Sequence, residues 1–443
     1  DGRNLAQPHR GGDRPIADDA EDDGAGQHAP FAGARHDRMA ARRIHRRAEQ
    51  GDGQEPPGGQ LHRGDAVGHP PRRQIAQLIR RVLALASTMP PDYCFPFRHE
   101  SIAALNAALE NNPNDARALY YLGNALYDVQ PEQAIAHWER AAVLDPGFAL
   151  AHRNLGWAYY RTQNDVSKAI ASYEKAIACS GEDARLFAEL DQLYEMGNVD
   201  PARRLEILQK HHATVVKRND SFVCEITAMV LTGHYDEAIA NLENHHFHVR
   251  EGGGEIHDVF VDAHLLRGIA RLRDNQPQKA LEDFLAAAEY PENLSVGRPQ
   301  NDPHAAQVAY YTARAHEALD DAEKAKSFDE KAASQEGTRW APESRFYRAM
   351  SMRQLGQEEQ AKEIFDELVR TGTERIERDE QADFFAKFGE QQARQVRLAS
   401  AHYLLGLGYL GAGRSDDARN EFGQAARLNV SHVWAKAQLE ALR

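Results

Sequence analysis

Three residues in this chain, Asn124, Asn154 and Arg185, are of the types that grip a carboxylate: amides and a guanidinium offering hydrogen-bond donors in series. Five histidines, His245, His246, His248, His257 and His264, form the densest group of potential metal ligands. Zinc needs neutral imidazoles converging at about 2.0–2.1 Å with a defined second shell, and adjacent His245 and His246 point apart if they share a helix. No Cys or carboxylate falls at a helical ligand spacing beside them, so the reading here is no metal and no cofactor. The run Gly252-Gly253-Gly254 is not a phosphate loop, because no Lys-Ser/Thr follows it and no strand precedes it. Neither a Gly-x-Ser-x-Gly elbow nor a His-Glu-x-x-His helix is present. The chemistry on offer is therefore recognition, and the sequence reads as noncatalytic.

The elements that would hold these side chains are written as a repeating small/large pattern. Leu122-Gly123 is followed by Ala134, Trp138 and Ala141; Leu155-Gly156 by Ala169, Tyr173 and Ala176; Leu405-Gly406 by Ala418, Phe422 and Ala425. Gly268, Ala313 and Ala349 fill the same small slot in between, with Ala238, Ala280, Ala325 and Ala361 as the reciprocal small residues and Leu242, Phe284 and Phe365 as bulky partners. The steric logic is that one helix crosses its neighbour too closely for a side chain at the Gly/Ala position. Burying each bulky partner contributes on the order of 1.5–3 kcal/mol, which a lone hairpin cannot collect without a neighbour. A period of about 34 residues with this alternation resembles the tetratricopeptide repeat. The resemblance implies an all-α, right-handed solenoid of about eight helix-turn-helix repeats that binds a protein or peptide on its concave face.

By motif position, Asn124, Asn154 and Arg185 match three of the five carboxylate-clamp slots of chaperone-binding repeat proteins. The other two hold Tyr120 and Glu189, where the clamp has a Lys and an Arg or Lys. Losing two cations and gaining a carboxylate weakens capture of an anionic tail by several charge-assisted hydrogen bonds. A neutral, aromatic-rich groove lined by Tyr120, Tyr127, Trp157 and Tyr160 is the expectation instead.

The resemblance extends further along the chain. Asp92-Tyr93-Cys94-Phe95-Pro96, Asn112 to Ala118, Tyr120 to Asn124, His152 to Gly156, Phe247-His248 with Glu251-Gly252-Gly253, and Ala288 to Leu294 together resemble the C-terminal half of large bacterial proteins. The N-terminal half of those proteins is a galactose-mutarotase-like β-supersandwich domain of unknown function. The match covers residues 89–443 and implies that the array is the accessory repeat half of a carbohydrate-related enzyme whose β-sandwich is missing from this chain. No catalytic residue carries over from such repeats.

Residues 1–88 are a different kind of text: no Lys, Trp, Tyr or Cys, one aromatic at Phe31, and abundant Arg, Gly, Asp, His and Pro. Such a segment buries too little apolar surface to offset its conformational entropy. It is expected to be disordered, or the out-of-frame translation of a GC-rich gene, since the chain opens on Asp1 rather than Met. The 443 residues carry a formal charge of −14, which disfavours nucleic acid and anionic membrane as partners. No apolar run approaches the roughly 18 residues of a membrane span. The three cysteines, without metal spacing, suit a reducing, cytoplasmic compartment.

Along the array, helices are expected at 101–110, in repeats beginning near Ala116, Ala149, Ala184 and Asp220, and in repeats five to seven anchored on Gly268, Ala313 and Ala349. Breaks are expected near 250–256 and 291–303. An extra helix pair is expected from Leu368 to Arg394. A terminal helix capped by Ser431 would carry Trp434 on its inner face.

Overall fold

The computed structural model describes residues 98–248, 255–336, 341–381 and 388–443, with a few single positions between 77 and 96. The expectations for residues 1–88, for the strap at Pro90–Pro96 and for the glycine run at 252–254 fall outside the described residues, apart from those single positions. What is described is helical throughout. A leading helix, α1 (His99–Asn111), is followed by eight hairpins. These are α2/α3 (Ala116–Leu126, Pro131–Leu144), α4/α5 (Ala149–Ala158, Val166–Cys179), and α6/α7 (Ala184–Met196, Pro201–Lys210) with the one-turn α8 (His212–Val215). Then come α9/α10 (Asn219–Leu231, Tyr235–Asn244), α11/α12 (Glu255–Arg273, Pro277–Ala286) and α13/α14 (Ala305–Ala318, Ala322–Ala333). The last two are α15/α16 (Ser344–Gln354, Glu358–Gln381) and α17/α18 (Phe388–Gly411, Ser415–Leu428), before the terminal α19 (Val433–Ala441). The right-handed solenoid of helix-turn-helix units expected from the pattern is the fold observed.

Local chemistry accounts for the segmentation. Asp115, Asp165, Asp183, Asp200 and Asp321 cap the helices that follow them, each carboxylate accepting from backbone N–H groups of the first turn. Pro131, Pro201 and Pro277 open second helices, where a missing N–H costs nothing. Each turn inside repeats two to eight contains one left-handed residue: Asn164, Asn198, Gly233, Asn275, Asp320, Gly356 and Gly413. Only Gly, Asn and Asp enter that region cheaply, and all seven positions use one of them. Repeat two carries one extra residue between Gly156 and Ala169 relative to Gly268 and Ala280. A π-turn at Tyr159–Gln163 absorbs it without moving the second helix out of phase.

The small slots do what the pattern requires. A Cβ at Gly123 would stand 2.4 Å from the Trp138 ring, at Gly156 2.4 Å from Tyr173, at Gly268 2.3 Å from Phe284 and at Gly406 2.6 Å from Phe422. Repeat six departs from the rule: the bulky slot holds Asp329, which is buried and bound by Arg314 and by the Ser351 hydroxyl at 2.7 Å. Repeat four departs too, with Ile226 in the small slot and Leu242 in the bulky one, both buried.

Two expectations are corrected. Among the described residues the charged stretch after Leu368 forms no separate helix pair; it lengthens α16 and α17 into 24-residue helices that pack along each other. The reason is the residue choice at their contact. Gly372 lies where a Cβ would meet Leu405 at 2.8 Å, and Gly408 and Gly411 do the same against Val369 and Phe365, so glycine here permits close approach rather than ending a helix. Ser431 does not cap α19 either. His432 does, its Nδ1 accepting from the Ala435 N–H at 3.3 Å, and burial holds this imidazole's pKa down to about 4, in the neutral form that the cap needs.

Contacts between distant parts of the array complete the fold. Residues 245–248 do not hang free: the Phe247 N–H donates to Asn293 O at 2.7 Å, and the Asn293 amide reaches the carbonyls of Leu242 and His245. The insertion holding Leu294, itself fully buried, thus straps the end of α10. The chain end returns to the middle repeats, where the Asn198 amide donates to Arg427 O at 3.0 Å and accepts from the Val430 N–H at 2.8 Å. Arg204 reaches Ser431 Oγ at 2.8 Å, and the Trp434 indole donates to Asp262 at 2.8 Å. Trp434 does sit on the inner face of α19, stacked over Tyr311.

The Gly268 contact is directly testable. Gly268→Val is expected to destabilise the chain by about 1–3 kcal/mol in a denaturant melt, because the Phe284 ring has no space to yield. Adding Phe284→Leu should return part of that loss, and additive losses in the double variant would show that the two sites do not share this contact.

Candidate functional site

The inner face of the first three repeats is built by α2, α4 and α6, and it brings together most of the residues singled out above. Asn154 Nδ2 donates to Asn124 Oδ1 at 2.8 Å, linking α4 to α2. The same oxygen accepts from the Trp138 indole at 3.1 Å, and that indole also reaches Tyr120 O. Asn124 is therefore oriented from behind by the core aromatic of its own repeat, which leaves Asn154 as the outer member of an amide ladder. Trp157 follows one turn after Asn154 on α4, half-buried, with Tyr160 at 6.0 Å between ring centroids and the Arg161 guanidinium 5.6 Å above its ring. Asn154, Trp157 and Arg161 share one helix face by their three- and four-residue spacing.

Arg153 and Arg185 on this face are each paired with a carboxylate. Arg153 grips Glu189 through both ends of its fork, Nε to Oε2 at 2.7 Å and Nη2 to Oε1 at 2.5 Å, with both side chains largely buried. Burial works against the charged guanidinium, but the Glu189 bond and charge hold its pKa above the ordinary arginine value. The Tyr173 hydroxyl, pushed well up by burial and then by Glu189, adds a further hydrogen bond to that carboxylate. Arg185 lies on Asp183, which holds it at 2.7–3.2 Å through three contacts. The arginines of α4 and α6 on this face are thus each neutralised by a carboxylate of this same chain, while Arg161 lies over the Trp157 ring.

The aromatic residues divide. Tyr120 is a core residue, 4% exposed and packed 4.8 Å from Phe148, so it cannot line a groove. The double tyrosine at 120 and 121 hid this, since successive helical residues differ by about 100° in direction and only the helix's setting tells which one turns inward. Tyr127 packs on Trp138 at 5.2 Å, with its hydroxyl 3.5 Å from Thr162 in the π-turn that follows α4. Trp157 and Tyr160 remain half-buried beside the amide ladder. Arg153 was passed over on the sequence, although a signal existed: Glu189 lies one repeat further on with the opposite charge.

The five histidines go separate ways. His245, past the end of α10, bonds Asn219 at 3.1 Å and edges against Phe222, while His246 meets His248 at 4.8 Å. His257 stacks on Tyr290 at 3.7 Å and bonds Glu289 O, and His264 contacts Asp283 at 3.3 Å beside Arg267.

A second polar region, unmarked in the sequence, occupies the inner face of the later repeats. Asp262 of α11, His304 before α13, Glu343 before α15 and Tyr403 of α17 converge there around Trp434. Burial pushes Asp262 up to about 6 and raises Glu343. His304 is raised although burial opposes it, because Asp258 bonds its Nε2 at 2.9 Å and Asp262 lies nearby. Tyr311, Tyr347 and Tyr403 form a chain of hydroxyls through the same region, with Gln307 donating to the Tyr347 oxygen at 3.0 Å.

Comparison with known proteins agrees with the geometry. The description "tetratricopeptide repeat" matches residues 98–128 and 130–184, and again residues 343–371. The chain carries tetratricopeptide repeats, and these matches cover repeat sequence alone. Among solved structures, the chain is similar to YrrB, described as a TPR protein with an unusual peptide-binding site. That match has 24% identity over 42% of this chain and 91% of that one, with a TM-score of 0.33. It is similar to MamA at 22% identity over 42% of this chain and 84% of that one, TM-score 0.21. A third match is the Naa15/Naa10 complex bound to HypK-THB, at 13% identity over 83% of this chain and 66% of that one, TM-score 0.34. Among the described residues no helix is long and apolar enough to cross a membrane.

The raised pKa of Asp262 has a consequence for stability. Its folded value lies above the ordinary 3.8, so the neutral form is favoured on folding; that stability is complete below about pH 4 and is lost as the pH rises through about 6. Asp262→Asn keeps an acceptor for the Trp434 indole and removes the charge. It is expected to stabilise the chain on the order of 1–2 kcal/mol at pH 7.5 and to leave the melting temperature at pH 4 unchanged.

Proposed function

We propose that this chain is a noncatalytic protein-interaction scaffold that takes an uncharged, aromatic-containing peptide segment across the inner face of α2, α4 and α6. The amide ladder of Asn124 and Asn154 offers hydrogen bonds to a peptide backbone, and Trp157 and Tyr160 offer flat apolar surface beside it. The observation that carries the reading is the internal pairing of the two arginines that flank the ladder on α4 and α6: Arg153 with Glu189, and Arg185 with Asp183. An acidic C-terminal tail would have to displace a resident carboxylate to reach either guanidinium, whereas an uncharged segment leaves both pairs intact. A cytoplasmic setting fits the cysteine usage.

Selection of a displayed random-peptide library on the full chain tests this. Recovered peptides are expected to be uncharged and to contain aromatic residues, and Trp157→Ala should weaken them about tenfold or more, as loss of an aromatic anchor does. Arg185→Ala should leave their affinity unchanged. Recovery of acidic C-terminal peptides whose binding vanishes in Asn154→Ala and Arg185→Ala would replace the proposal with a carboxylate clamp.

A further inference from the structure

The amide ladder of α2 and α4 has its polarity fixed from inside the fold. An indole N–H only donates, so the atom of Asn124 that faces Trp138 Nε1 has to be an acceptor, and Oδ1 stands there at 3.1 Å. That oxygen also meets the Asn154 amide at 2.8 Å, a contact that holds only with the Asn154 nitrogen turned inward. Turning Asn124 over would set its N–H groups against two other donors, and turning Asn154 over would set two acceptors face to face. Trp138 cannot adjust to either change. It is 3% exposed, and its Nε1 lies where a Cβ on Gly123 would approach to 2.4 Å.

Each amide is left with one unused end. Among the described residues neither Asn124 Nδ2 nor Asn154 Oδ1 has a partner, and neither is sealed away from solvent. The inner face thus presents a donor from repeat one beside an acceptor from repeat two. Such a pair is complementary to one residue of an extended chain, whose N–H and C=O point to the same side. The molecule already reads main chain in this way. The Asn198 amide donates to Arg427 O at 3.0 Å and accepts from the Val430 N–H at 2.8 Å. There a single amide serves both roles, whereas the ladder divides them between two repeats. The division also sets a direction, because the N–H of a residue precedes its C=O along the chain.

We infer that Asn154 Oδ1 and Asn124 Nδ2 read the N–H and the C=O of one residue in an extended ligand segment, which therefore runs from the α6 side toward α2. Proline is refused at the residue they read, since it has no N–H to give Asn154. Trp138 touches no ligand and is a positioning residue, acting through Asn124. This specificity rests on the face being a peptide site, as proposed above, and adds to it a direction and an excluded residue.

The test uses the full isotope-labelled chain and a capped tripeptide, acetyl-Ala-Trp-Ala-amide, with binding followed through the protein's indole and side-chain amide resonances. Three further versions carry one backbone N-methyl group, at each residue in turn. One of them is expected to bind about tenfold or more weakly than the parent, and the other two within about twofold of it. Asn124→Asp keeps the acceptor for Trp138 and Asn154 and removes the ligand-facing N–H. It should weaken the peptides together by about tenfold and preserve their ratio. Trp138→Phe frees the Asn124 amide to turn and should bring the ratio close to one, a change that lost packing alone does not produce. Equal binding of the N-methylated versions, or binding of no version, overturns the inference, and the library selection judges the peptide site separately. If Trp138→Phe does not fold, Asn124→Asp decides at a half-exposed position, and unchanged affinity there is equally fatal. A nitroxide on the peptide's N-terminus should broaden resonances of α6 more than those of α2, and the reverse pattern overturns the direction.

Discussion

The structure depends on how closely the two helices of a repeat cross. With glycine at 123, 156, 268 and 406, the backbone of the first helix lies directly on the ring of Trp138, Tyr173, Phe284 or Phe422, each no more than 3% exposed. The ring is then covered on one face by its own hairpin. Its remaining surface is covered only when the next hairpin stacks, as Tyr311 does on Phe284 at 5.6 Å. Close crossing within a unit thus obliges stacking between units. It also frees the inner side of the first helices for polar residues, which is where Asn124, Asn154, Asp262 and Glu189 all stand.

Much of this was legible in the sequence because it is local and periodic. The small/large spacing, the Asp caps and the Asn or Gly turn residues are each set by neighbours within about fifteen positions, and a repeat writes them again and again. Where a rule was satisfied by other means, the text misled. The charged stretch after Leu368 read as a separate helix pair, yet Gly372, Gly408 and Gly411 serve contact between α16 and α17 and the helices run on through them. Ser431 reads as a cap by its type, but its hydroxyl is taken by Arg204 and His432 performs the role. Asp329 stands in a slot that other repeats fill with an aromatic, and Arg314 and Ser351, which make it tolerable, come from two other helices.

The candidate site was legible in its positions and not in its electrostatics. Motif alignment places Asn124, Asn154 and Arg185 on one face, but it does not say that Arg153 would take Glu189 or that Asp183 would hold Arg185. Those pairings depend on side-chain reach across repeats, and they decide whether the face is cationic or neutral. Buried, mutually satisfied ion pairs contribute little net stability against an apolar alternative, so their effect here is on what the surface refuses.

The contacts between repeats three and eight were not legible at all. Nearest-neighbour packing fixes the rotation from each unit to the next, and small rotations accumulate until the chain end meets the middle of the array. No local pattern encodes that meeting; it follows from the sum of the steps from repeat three onward, including the strap at Leu294 and the lengthened α16 and α17. The residues that meet are accordingly unlike the repeat signature: Asn198 with main chain, Arg204 with a hydroxyl, Asp262 with an indole. The closing helix belongs by its apolar side to the core of the last repeats, where Ala435 is fully buried, and by its polar groups to repeats three and five, so it ties two parts of the array into one curvature.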